Sequence, residues 1–156
     1  MLGTNTIYIY MDDDAISEIL DRAVNNENNE NITSHTLASI EKTKTAILGE
    51  LELSQEEQAK ILEKLDGYRH VDEMPEFRTG CYIRWIRPTE TATPRLTNGG
   101  ILVDISIREN GVHLRCRNNC NRIFQLCIDD VFIFQKLTPQ ENVILSMIDI
   151  INGDHN

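Results

Sequence analysis

The apolar residues of this chain change their spacing midway. Over about residues 16–67 they recur every three or four positions, and from Gly80 to about residue 135 they alternate with other residues every second position, before a last helical stretch. A helical face needs the first period and a half-buried strand needs the second. The chain is therefore read as an α+β protein with its helices first and its strands second. Between the two patterns, residues 68–79 lose both periods and contain Pro75, which places an internal boundary there. This gives three parts: an acidic helical region over 1–67, a small β-barrel over 68–137, and a packing helix over 138–153.

In the first part, residues 5–10 alternate Ile7 and Ile9 with Tyr8 and Tyr10, the pattern of a short strand or docked arm. Asp12, Asp13 and Asp14 then stand where a helix start favours carboxylates, ahead of Ile16, Ile19, Leu20 and Ala23 at helical spacing. Residues 25–31 are Asn-rich and polar, and read as an exposed loop or disordered stretch. A second helix, capped by Thr33 or Ser34, carries Leu37, Ile40, Lys44, Ile47 and Leu51 along one narrow seam. That seam covers about two heptads, too few for a coiled coil, so it is expected to pack in a hairpin against the next helix. Ser54 and Glu57 form a capping box for that partner, Ile61, Leu62 and Leu65 are its stripe, and Gly67 ends it.

The second part reads as five strands. They are 81–87, 101–107, 112–116, 122–128 and 131–135, joined by a long loop at 88–100 that closes in Asn98-Gly99-Gly100 and then by tight turns. One long first loop followed by short turns suits a strongly bent, Tudor-like barrel, with an oligonucleotide-binding-type barrel as the alternative. Its expected core includes Ile83, Trp85, Ile101, Val103, Leu114, Phe124, Leu126, Phe132 and Phe134. The closing helix has Thr138 as cap, Pro139 at its first position and Glu141 completing a capping box, and contributes Ile144 and Ile148.

The net charge of −10 argues against indiscriminate attraction to nucleic acid or anionic lipid. It is unevenly spread. Residues 1–78 hold 17 carboxylates against 7 basic residues, whereas 80–123 hold seven arginines, no lysine and only Glu90, Asp104 and Glu109. Arginine's planar fork binds carboxylate or phosphate in two places and stacks on aromatic rings. The candidate binding face accordingly comprises Tyr82, Arg84, Arg87, Arg108, Arg115, Arg117 and Arg122. No run reaches the roughly 18 apolar residues of a membrane span, and residues 1–11 lack the basic start and apolar stretch of a signal peptide. An intracellular protein with Cys81, Cys116, Cys120 and Cys127 kept as thiols is expected.

His113, Cys116, Cys120 and Cys127 have ligand chemistry for zinc, but on a strand His113 points away from Cys116, and no Cys-x-x-Cys pair is present. Cys81 or Cys120 with His70 or His113 and Asp104 can be drawn as a nucleophilic set, without any supporting local motif. No catalytic residue, metal site, cofactor or small-molecule ligand is therefore expected. A small enzyme or zinc-stabilised domain remains the second alternative.

From Tyr68-Arg69 through residues 80–86, 96–101 and 133–137 to the helix at 141–151, the chain resembles uncharacterised small proteins of large nucleocytoplasmic DNA viruses. The resemblance covers residues 67–151. It implies a context, host cytoplasm or a virion, and carries no activity or site residue. The function expected is a non-enzymatic binding or assembly module engaging a protein partner or itself, without membrane. RNA or single-stranded DNA binding by the arginine-rich barrel is the alternative.

Overall fold

A computed structural model describes Asp14, Ala15, Ser17, Glu18, Asp21 and residues 32–88 and 93–153. The strand expected at 5–10, the loop at 25–31 and the tip of the first long loop fall outside those residues. The described members of the first expected helix, Asp14, Ala15, Ser17, Glu18 and Asp21, are helical. The chain divides into two compact units, Met1–Ser39 with Thr138–Asn156, and Ile40–Leu137.

In the first unit, a 3-10 turn at Ile32–Ser34 packs against α3 (Pro139–Gly153). Ile32, Ile144, Leu145 and Met147 are buried, while Ile148 is half-buried. The α3 cap is as the sequence predicts. The Thr138 N–H donates to Glu141 Oε1 at 2.9 Å and the Glu141 N–H to Thr138 Oγ1 at 3.1 Å. The cap of α1 (Leu37–Glu50) differs from expectation. Thr33 and Ser34 are taken up by the 3-10 turn, and Thr36 and Ser39 exchange hydrogen bonds at the helix start instead.

The larger unit is built around one antiparallel sheet. It has six strands, not five: β1 (Tyr68–Val71), β2 (Tyr82–Ile86), β3 (Gly100–Arg108), β4 (Gly111–Arg117), β5 (Ile123–Cys127) and β6 (Phe132–Lys136). Their order across the sheet is β1-β6-β2-β3-β4-β5, and among the described residues it does not close. The additional strand is β1, placed by Tyr68↔Lys136 and Val71↔Ile133. Its alternation is hidden in sequence because Arg69 is buried, its guanidinium 3.3 Å from Glu76.

The link from β5 to β6 is a single 3-10 turn, Ile128–Asp130. Four residues thus carry the chain from one edge of the sheet to its second strand, so the sheet must curl strongly on itself. The inner face of the curl gathers Val71, Phe77, Ile83, Trp85, Leu102, Leu114, Cys116, Leu126, Val131 and Ile133. On the other face of β1, β6 and β2, Tyr68, Ile86 and Phe134 join Ile47, Leu48 and Leu51 with Ile61 and Leu65 of the helical hairpin. Apolar residues on both faces are why β2 and β6 read as nearly continuous apolar runs.

The core of β3 departs from expectation. Leu102 is fully buried, whereas Ile101 and Val103 are each 38% exposed. Pairing of Tyr82 with Ile101 fixes Ile101 on the outer face, and a bulge between Leu102 and Asp104 then reverses the alternation so that Ile105 points inward. Phe124 is likewise exposed and Phe132 half-buried.

The hairpin of α1 with α2 (Gln55–Lys64) is held by an unusual member of the predicted seam. Lys44 is 1% exposed, and its Nζ donates to the carbonyl of Leu65 at 2.9 Å while pairing with Glu41 at 2.7 Å. The lysine adds a second donor to a carbonyl just past the end of α2 that also accepts from the Tyr68 N–H at 2.9 Å. At the other end of α2, Ser54 and Glu57 form the predicted capping box. Ser54→Ala should lower stability by about 1 kcal/mol in urea titration, and Glu57→Ala by a comparable amount. An unchanged midpoint for both would show that the box contributes nothing.

Candidate functional site

The seven residues of the predicted binding face do not form one site. Tyr82 and Arg84 share the outer face of β2 with Ile86, but Arg84 is committed to backbone. Its Nε donates to the carbonyl of Thr97 at 2.9 Å and its Nη1 to that of Lys64 at 3.4 Å. Arg115 faces Asp104 at 3.8 Å, and Arg108 reaches the side-chain amide of Gln125 near the far end of β3. Arg87, Arg117 and Arg122 remain exposed, the first beyond the end of β2 and the other two on either side of the β4–β5 turn.

Strand register brings some of these together. Tyr82 pairs with Ile101, Ile101 with Arg117 and Arg117 with Ile123, so these four make one row across the outer surface. Ile101 and Ile123 are 38% and 52% exposed in that row. This row therefore sets an arginine between two exposed isoleucines.

A cleft within this unit lies beside the row. Segments 82–87, 97–99 and 118–126 enclose a cleft of about 520 Å³, walled by Tyr82, Trp85 and Phe124. Trp85 and Phe124 meet edge to face, with ring centroids 6.3 Å apart. Local geometry fixes each wall. The Tyr82 hydroxyl donates to the Asn98 carbonyl at 3.0 Å, and the Trp85 backbone N–H to Thr97 Oγ1 at 3.1 Å. In the turn, Asn118 Oδ1 accepts from the N–H groups of Cys120 and Arg122 at 2.9 and 3.0 Å. Asn121 takes the left-handed conformation, φ 61°, that Asn tolerates better than most residues.

Among the described residues the lining contains no carboxylate and Arg87 is its one charged side chain, while Asn98, Asn118, Asn119 and Gln125 supply amides. Sequence reasoning included Tyr82 and Arg87 but assigned Phe124 to the core. The available signal was the Asn-rich turn at 118–121, whose position opposite 97–99 depends on the sheet order.

The cysteines and histidines are dispersed. Cys116 is buried on the inner face, where burial raises its thiol pKa, while Cys120 is exposed in the turn. His113 points outward and lies 2.9 Å from Asn110 Oδ1. His70 stacks obliquely on Phe132 and Phe134, and burial lowers its pKa. Among the described residues no group of three or more His, Cys, Asp or Glu side chains is placed to hold a metal ion, and no helix is long and apolar enough to cross a membrane. Comparison with family models, with curated proteins and with solved structures returned no match in any of the three.

Proposed function

We propose that this protein is a non-catalytic assembly module whose β5 edge pairs with the β5 edge of a second copy of the chain. The observation that carries the reading is the character of that edge. Among the described residues β5 pairs with β4 alone. The Asn118 N–H bonds the Arg122 carbonyl at 3.0 Å. Antiparallel alternation then turns the backbone groups of Ile123, Gln125 and Cys127 toward the open side. Exposed strand edges normally carry lysine or proline, or are kept short or covered. Segment 122–130 has neither residue, and its Ile123 and Phe124 are 52% and 40% exposed.

The segment is also complementary to itself. It begins with Arg122 and ends with Asp129 and Asp130. An antiparallel copy with Gln125 opposite Gln125 sets Ile123 beside Cys127 and brings Arg122 next to Asp129 of the other chain. Twofold symmetry makes that contact twice. We read the curled β2–β6 core, with its 3-10 link, as a Tudor-like barrel left unclosed, the opening being the edge used for pairing. In the viral context implied by the resemblance, such a module suits intracellular or virion assembly.

Mass in solution tests this. The full chain should be a dimer at micromolar concentration, and Ile123→Lys should make it a monomer that still unfolds cooperatively, with a melting temperature that no longer rises with protein concentration. Arg122→Asp should weaken association, and adding Asp129→Arg should restore it. A wild-type chain that is monomeric at every salt and concentration would refute the proposal.

A further inference from the structure

We infer that the cleft walled by Tyr82, Trp85 and Phe124 is a nucleobase site, and that its ligand is single-stranded nucleic acid. Three features select this chemistry. First, the walls are aromatic, and a flat π-system gains by stacking on them whatever its sequence. Phe124 is exposed enough to offer a ring face, while Trp85 lies deeper as the floor. Second, the polar lining is of the kind that reads base edges. Among the described residues the side chains of Asn98 and Asn119 make no hydrogen bond, leaving both donors and acceptors for a ligand.

Third, the charge is of one sign. A cationic ligand such as a methylated lysine would meet Arg87 with no carboxylate among the described lining residues to offset it. A phosphate meets the reverse. Arg117, which the proposed pairing leaves free, stands at the start of the turn that forms one wall, so an exposed guanidinium group lies beside the cleft where a backbone leaving it would run. A duplex keeps its bases stacked inside and cannot present one to such a cleft, which limits the ligand to single strands. Among the described residues, no acidic side chain of 1–78 lines it.

The chain has one tryptophan, Trp85, so its fluorescence reports on the floor of the cleft directly. Titrating the full chain with a single-stranded DNA of roughly 12 nucleotides should quench that emission, whereas the same sequence as duplex should not. Phe124→Ala and Phe124→Leu should each weaken binding by about tenfold, with a melting curve checking that both fold. Arg87→Ala should reduce the slope of log affinity against log salt by about one. Absence of binding at low salt, equal binding of duplex, or wild-type affinity in folded Phe124→Leu would each overturn the assignment.

Discussion

Gly99→Ala is expected to cost about 3 kcal/mol or more and to leave much of the protein unfolded. Gly99 has φ +77°, a conformation that an L side chain resists, and a Cβ there would collide with the carbonyl oxygen of Ile83 and stand 2.9 Å from Arg84 Cγ. The first of those is backbone of the adjoining strand and cannot move aside without breaking the start of the β2–β3 pairing, where Ile83 faces Gly100. Gly49 provides a control of opposite sign. It lies in α1 with nothing near its absent Cβ, so Gly49→Ala should stabilise by about 0.5–1 kcal/mol. Denaturant unfolding of the two variants checks both. A Gly99→Ala protein within about 1 kcal/mol of wild type would mean that the 97–100 turn is not built as described.

Phe134→Ala should be comparably severe, about 3–5 kcal/mol. Phe134 is fully buried on β6 between two strands, paired with His70 on one side and Arg84 on the other. It also joins the sheet to Leu48 and Leu65 of the helical hairpin, so truncation opens a cavity where three elements meet. Phe132 projects from the same face but is half-buried, and its truncation should cost distinctly less. Equal costs for the two would contradict the central place of Phe134.

The elements of this fold were more legible in sequence than their assembly. Strands β2 to β6 fall where period-two alternation places them, because turns such as Asn110-Gly111 bracket each run. Strand β1 was not legible. Its buried Arg69 is neutralised by Glu76, a partner from the next segment, and pattern reasoning treats a charge as exposed. The core of β3 was misread for a related reason. Residues 101–107 are apolar at both parities, and only the bulge at Val103 decides which parity faces inward on each side of it.

The candidate site followed the same division. Arginine and aromatic residues were visible as a composition, yet composition does not tell that Arg84 is turned onto the Thr97 and Lys64 carbonyls while Arg87 stays exposed. The cleft joins residues from three separate segments, and its existence depends on a sheet that curls.

The position of β6 also governs when this unit can fold. It is the last strand in the chain but the second in the sheet, lying between β1 and β2 and pairing with both. A nascent chain that has emerged as far as Asp130 can form the β3–β4–β5 meander from neighbouring segments, at low entropic cost. Strand β1 has no partner at that stage. Tyr68 must wait for Lys136, and Ile83 and Trp85 keep one side of their strand unpaired until Gln135 and Ile133 arrive. Folding of the larger unit is therefore delayed until its final few residues leave the ribosome, after which both faces of the sheet are buried in one step. A chain stopped before residue 132 would expose the apolar runs of β2 and the hairpin together, in the form most prone to aggregate.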